Sequence, residues 1–240
     1  MASVPEITLL ELALLFVPVL AVVALQWRWR VGAGTTVYAT ARMLVQLVLV
    51  GYVLTWLFAT EHAGVIVLML SGMLAAAAWI SLRPVRDRSW GHVLLAGAAI
   101  SLSGVGLLAL VVIVVIDATP WFAPRYTIPL AGMIFANNMN AVSLAAERLS
   151  AELGRGEAWA LARHRAFEAA FIPLMNSFFA VGLVSLPGMM TGQILGGVEP
   201  LVAVRYQIVV MALLLGGSGL SVGGYLWGWK RLRGEGAPSP

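Results

Sequence analysis

Cysteine is absent from the 240-residue chain, which excludes disulfides, thiolate metal sites and a cysteine nucleophile. Charge is scarce as well. Only 11% of the residues are Asp, Glu, Lys or Arg, against roughly 25% in an ordinary soluble domain, so the chain lacks the polar surface that a water-soluble fold requires. Lysine occurs once, as Lys230, preceded by Trp229. A Walker A loop needs Gly-Lys-Ser/Thr, so ATP hydrolysis by that route is excluded. Histidine is limited to His62, His92 and His164, all outside the apolar runs, and no Asp, Glu or Lys falls near the middle of any run. A proton-driven carrier needs titratable groups along its path. The paired Asp, HExxH or Ser/His pair of an intramembrane protease is missing too.

What the chain does contain is hydrocarbon. Hydrophobic residues make up 60% of it, and the mean hydropathy is +0.91. The apolar runs are about 20 residues long, the length of a membrane-spanning helix rather than of a barrel strand. Seven such runs fall at Ile7–Trp27, Met43–Ala59, Gly64–Leu82, Val93–Ile116, Ile128–Ala146, Phe171–Gly197 and Gln207–Trp227. The expected fold is therefore an all-α, polytopic membrane protein of about seven transmembrane helices, forming a single transmembrane domain over 1–240. Glu6 precedes the first run with no Lys or Arg ahead of it, unlike the basic start of a signal peptide, so the run reads as a retained first span.

Basic residues set the expected orientation. Arg28, Arg30, Arg42, Arg83, Arg86, Arg88, Arg148, Arg155, Arg163, Arg165, Lys230, Arg231 and Arg233 fall on one side of these spans; only Arg125 and Arg205 fall on the other, with Glu6, Glu61, Asp117 and Glu199. By the positive-inside rule the N-terminus is outside and the C-terminus cytoplasmic. The net charge of +4 then reports orientation in lipid, and no nucleic-acid partner is expected. Residues 28–42 read as an interfacial segment. Residues 147–170, rich in Glu and Arg among Leu and Ala, read as either a solvated helical hairpin or a docking element for a cytoplasmic partner. The Gly/Pro/Ser-rich tail 234–240 reads as flexible.

Polar groups at membrane depth carry the functional signal. The fifth run holds Asn137, Asn138 and Asn140 near its midpoint, and Gly132, Ala136, Asn140, Ser143 and Glu147 share one helical stripe. Amides in hydrocarbon need partners, so this stripe faces other helices or a cavity. Interhelical adhesion competes with a pathway role, most evenly at Asn138. The sixth run is 27 residues long with Ser185-Leu-Pro-Gly-Met-Met-Thr-Gly-Gln193 at its centre. Pro187 removes a backbone donor and Gly188 eases unwinding, so a kink or break is expected there. Met189, Met190, Thr191 and Gln193 beside it offer soft and neutral ligands; the two methionines are the candidate metal ligands. Gly216–Gly224 in the seventh run contains Gly219-xxx-Gly223, which serves equally well to pack helices within a chain or between two copies.

Three stretches carry a family resemblance: Ala41-Arg-Met-Leu-Val-Gln-Leu47, Gly132–Arg148 and Asn176–Met211, the last with the strings SLPGMMTGQI and AVRYQIVVM. They closely resemble the FetB-type (UPF0014-like) permeases, the membrane subunits of an iron-export ABC transporter, related to plant aluminium-sensitivity permeases. The resemblance covers residues 38–227. The family's motif positions map onto Arg42, Gln46, Asn137, Met139, Asn140, Ser143, Glu147, Asn176, Ser185, Pro187, Gly188, Met189, Met190, Thr191, Gln193, Arg205, Tyr206 and Gln207. Ala136 stands where the family carries glycine, and the loop after Glu147 is short.

The resemblance implies a half-transporter in the cell membrane that forms a homodimer and pairs with two copies of a separate ATPase, which holds the ATP and Mg. The expected substrate pathway comprises Gln46, Asn137, Asn138, Met139, Asn140, Ser143, Ser185, Met189, Met190, Thr191 and Gln193. The expected ATPase-docking residues are Glu147, Arg148, Arg155, Arg163 and Arg165. Export of a metal or metal complex is the first reading of function. A nucleotide sugar or lipid-like solute is an alternative cargo, and a non-transporting scaffold that recruits an ATPase is a reading of another class.

Overall fold

The computed structural model describes residues 7–58, 62–85 and 89–233. The expectations for Glu6, Glu61, Arg86, Arg88 and the tail 234–240 lie outside the described residues. Within them the chain is helical throughout, and the sole strand-like feature is an isolated bridge between Val181 and Ser185. Two compact units divide it, Met1–Thr60 and Glu61–Pro240.

The first unit comprises α1 (Leu9–Leu14), α2 (Phe16–Arg28) and α3 (Ala33–Phe58). Thr8 caps α1 and Glu11 bonds back to the Thr8 backbone at 2.8 Å, a complete capping box that gives the Glu11 carboxylate a local partner at the helix end. The step between α1 and α2 at Leu15 follows from Pro18, which cannot donate to Leu14 and crowds its carbonyl. Arg30 and Gly32, at φ 58° and 63°, turn the chain tightly into α3. Within the segment 28–42 only 29–32 turn, and 33–42 form the first turns of a 26-residue helix. A charge such as Arg42 ends a hydropathic run without ending a helix.

The second unit contains α4 (Ala63–Ser81), α5 (Trp90–Ala109, continued by a π-helical turn, Leu110–Val115), α6 (Pro124–Gly154), α7 (Trp159–Ala180), α8 (Gly188–Leu195) and α9 (Pro200–Arg233). Its core lies where α5, α6 and α9 meet, around Ile100, Ile134, Phe135, Val142, Val222 and Tyr225. Helix α5 runs antiparallel to α9 and meets it through small residues: a side chain at Gly224 would touch Ala99, and one at Gly216 would touch Leu107. Gly219 likewise faces Phe171 of α7. Gly216, Gly219 and Gly224 thus pack α9 within its own chain, while a side chain at Gly223 would meet nothing within 4 Å.

Among the described residues, five helical segments are long and apolar enough to cross a membrane: Leu9–Arg28, α3, α4, Trp90–Val115 and Pro200–Leu232. The two other expected spans fall on α6, which carries the amides, and on the stretch that follows it. That stretch departs most from expectation. Phe171–Gly197 is not one helix: α7 begins at Trp159, inside the charged segment, and stops at Ala180. Residues 181–187 leave helical geometry, α8 follows, and a turn at Gly196–Gly197 leads into α9. The break starts at Val181, already extended, and Gly182, whose φ of 80° suits glycine, rather than at Pro187, which sits instead as the N-cap of α8.

Candidate functional site

The three asparagines of α6 fall on three different surroundings. Asn138 is fully buried and points at α5 and α9. Its Nδ2 donates to Ser103 Oγ at 3.2 Å, Ser103 and Ser221 share a hydrogen bond, and Ser103 also donates to the Ala99 carbonyl at 2.9 Å. This is a polar clasp across three helices. Gly217 makes it possible, because a Cβ there would stand 2.7 Å from Asn138 Oδ1. Gly217→Ala is expected to lower stability in detergent by about 1–3 kcal/mol, the usual cost of overpacking, readable as a drop in Tm. Ser103 and Ser221 were not singled out from the sequence; serine embedded in a small-residue run looks like packing until its partner is known.

Asn137 is half-buried and donates to the Met133 carbonyl at 3.1 Å, one turn back on its own helix. Met139 is half-buried against the core. Asn140 is exposed, as are Ala136 and Glu147, and Ser143 between them is half-buried. From Ala136 to Glu147 the stripe read from the sequence is thus the more open side of α6, Gly132 facing Met73 of α4, while Asn138 alone of the three amides bonds across to another helix.

Helix α7 folds back antiparallel to α6. Asn140 lies twelve residues before Glu152, and Ser177 lies twelve residues after Arg165, the residue that pairs with Glu152. At ~1.5 Å per residue both positions stand about 18 Å from that ion pair. Asn176 and Ser177 are also exposed. In hydrocarbon an exposed amide needs protein or water beside it.

The hairpin's other end is an ion-pair network. Glu152 is wholly buried and bonds three arginines: Arg148 at 2.9 Å, Arg155 at 3.2 Å and Arg165 from the opposing helix. Arg165 also reaches Glu157 at 3.0 Å. Gly156, at φ 81°, allows the tight turn that brings the two helices together. Of the expected docking residues, Arg148, Arg155 and Arg165 are thus engaged within the chain, whereas Glu147 and Arg163 are exposed. The Arg165 guanidinium holds the Glu152 carboxyl below the usual carboxylate range, with Arg148 and Arg155 adding to it against the cost of burial. A carboxyl depressed by folding stabilises above its unfolded pKa and loses that contribution as pH falls through the folded value. Hydrogen exchange over 147–170 is therefore expected to stay slow from neutral pH down past the ordinary carboxylate range of about 4, and to accelerate only below it.

The residues after the helix break divide differently from expectation. Met189 packs against the core of the unit, while Met190 lines a cleft with Pro187, Gln207 and Met211. Neighbouring helical residues project about 100° apart, and here the two thioethers enter different surroundings. Thr191 Oγ1 donates to the Pro187 carbonyl at 3.1 Å, closing the first turn of α8. Ser185 and Gly188 are exposed; Gln193 is half-buried. The cleft that holds Met190 is walled by α7, the 181–187 segment, α8 and α9, and no α6 residue lines it. It does not bring Asn137 or Asn140 to Met190. Gln46 is exposed on α3 in the first unit. Among the described residues no group of three or more His, Asp or Glu is placed to hold a metal ion.

No solved structure matches the chain. By sequence it is 37% identical to a UPF0014 membrane protein of Synechocystis over 81% of either chain. It is 33% identical to the probable iron export permease protein FetB of Escherichia coli, covering 77% of this chain and 75% of that one. It is 32% identical to the protein ALUMINUM SENSITIVE 3 of Arabidopsis thaliana, over 78% and 73% respectively. The described family matches from residue 9 to residue 232, nearly the whole length. The chain belongs to the uncharacterised protein family UPF0014 and is a multi-pass membrane protein.

Proposed function

We propose that the chain is the membrane permease of an ABC transporter that exports iron, or a metal complex, with ATP hydrolysed by a separate cytoplasmic subunit. The observation that supports this reading is the pair of exposed amides, Asn140 on α6 and Asn176 on α7, with half-buried Ser143 one turn from Asn140; a membrane-spanning hairpin would set them near the middle of the hydrocarbon. Two copies related by a two-fold axis would bring two such pairs together around water, with seven spans per copy and both hairpins in the cytoplasm. Each hairpin would sit in a cleft of one of two ATPase copies, offering exposed Glu147 and Arg163. The iron assignment draws support from the name of the Escherichia coli relative. The donor set narrows it. Amides and hydroxyls bind a bare iron ion poorly compared with carboxylate or imidazole, so the cargo is iron already held by a chelator.

Co-reconstitution of permease and ATPase in vesicles tests this directly. ATP-dependent movement of ferric citrate away from the ATPase side is the expected result. ATP hydrolysis without movement of ferric citrate or free iron removes the metal assignment. Failure of the two proteins to associate removes the transporter reading itself.

A further inference from the structure

The described residues of the first unit, 7–58, hold three arginines and a single acid, Glu11, which is engaged in the cap of α1. Arg28 and Arg30 stand at the turn from α2 into α3. Both are exposed, and among the described residues neither guanidinium has an ion-pair or hydrogen-bond partner. Leu9–Arg28 and α3 are each long and apolar enough to cross a membrane, so a chain that crosses through both sets this turn at the membrane–water boundary. Trp27 and Trp29 beside the arginines are 78% and 67% exposed. Indoles so placed rest at headgroup level, the zone to which arginine stems also reach. The turn is concave as well. A cleft of about 840 Å³ lies against it, lined by Trp27, Arg28, Arg30 and the first residues of α3. Side chains added at Gly32 or Gly34 would meet nothing within 4 Å, so this part of the cleft is open space. Forked guanidiniums with no carboxylate to satisfy them match the oxygens of a phosphate group, and the positive end of the 26-residue α3 adds to their field. Trp27 and Ala24 supply apolar lining, which a free phosphate ion would not use and a lipid would.

We propose that this cleft binds an anionic phospholipid of the surrounding membrane, its phosphate held by Arg28 and Arg30 and its glycerol and upper chains against Trp27 and Ala24. The site goes beyond the transport reading and does not depend on it, so it is tested on the permease alone.

The full-length permease is placed in phosphatidylcholine nanodiscs doped with a small fraction of photoreactive phosphatidylglycerol or, in parallel, photoreactive phosphatidylcholine, each with one diazirine high on an acyl chain. Cross-links are mapped by mass spectrometry. A basic residue at the membrane surface favours anionic lipid by roughly fivefold, so two should raise labelling of residues 24–34 by phosphatidylglycerol at least about tenfold above phosphatidylcholine. Replacing both arginines, Arg28→Gln with Arg30→Gln, is expected to bring the two probes level. Loss of arginine can also alter how a hairpin inserts, so Gly34→Phe provides a second test. It fills open space at the cleft with every charge kept, and it should likewise abolish the preference. Millimolar inorganic phosphate at constant ionic strength should leave the labelling unchanged. Equal labelling of 24–34 by the two probes in the unaltered protein, an anionic preference that survives in either variant, or the same preference at every arginine-bearing helix end would each overturn the site. Displacement by inorganic phosphate would overturn the lipid as its occupant in favour of a soluble anion.

Discussion

Asn140→Leu is expected to leave the permease as stable as the parent and to slow ATP-driven export at least about tenfold, the effect of roughly 1.4 kcal/mol on the barrier. The side chain is exposed and makes no hydrogen bond that holds α6 to its neighbours, so folding loses nothing. If the face bordered water, leucine would dry it, and apolar constrictions block polar solutes by dewetting. Asn138→Leu should show the opposite pattern. Removing the donor to Ser103 weakens the clasp between α5, α6 and α9 by up to about 2 kcal/mol, while transport per folded molecule stays unchanged. Met190→Leu, nearly equal in volume, should transport normally, because Met189 turns toward the core and no sulfur pair exists to be broken. Thermal unfolding and vesicle export of the three variants separate these outcomes. If Asn140→Leu exports at the parental rate, the path does not run along α6.

The contrast between Asn138 and Asn140 marks the boundary of what the sequence could reveal. Three amides at mid-span announce a polar layer, and their types and spacing are local facts. Which amide is glue depends on where α5 and α9 lie, and those helices are distant in sequence; Ser221 is 118 residues from Ser103. The apolar runs located helices α2, α4 and α5 well, because hydrocarbon thickness imposes a length on them. Boundaries failed wherever a helix outruns the hydrocarbon. Helix α9 starts at Pro200 rather than Gln207, since Arg205 interrupts the hydropathy and not the backbone hydrogen bonds. The break in Phe171–Gly197 was visible in its composition but was misplaced. Proline is the louder signal, yet Pro187 is compatible with a helix start, and it is Gly182 that takes the positive φ.

Glu152 is the residue that sequence reasoning passed over, and it governs the second large effect. In a stretch with four glutamates and four arginines it looks like one more solvated charge. Its burial arises from the hairpin, which brings Arg165 across from the next helix and closes Arg148 and Arg155 over it. Arg163 and Arg165, two residues apart, therefore carry different information. Arg165→Glu sets a third carboxylate beside Glu152 and Glu157 and removes the cross-helix bond that joins α6 to α7. Removing one partner of a buried charge leaves the other uncompensated, so the hairpin should open. Hydrogen exchange over 147–170 is expected to rise at least about tenfold, and co-purification with the ATPase to be lost. Arg163→Glu makes the same change of charge on an exposed side chain. It should leave exchange in 147–170 unaltered and weaken ATPase binding by about tenfold, the effect of one interfacial contact worth ~1.4 kcal/mol. Glu152→Gln keeps the shape and one acceptor but not the charge, and should fall between the parent and Arg165→Glu in exchange. A protein in which Arg165→Glu exchanges like the parent would show that the ion pairs do not hold the hairpin. One in which Arg163→Glu binds the ATPase undiminished would move the docking surface off α7.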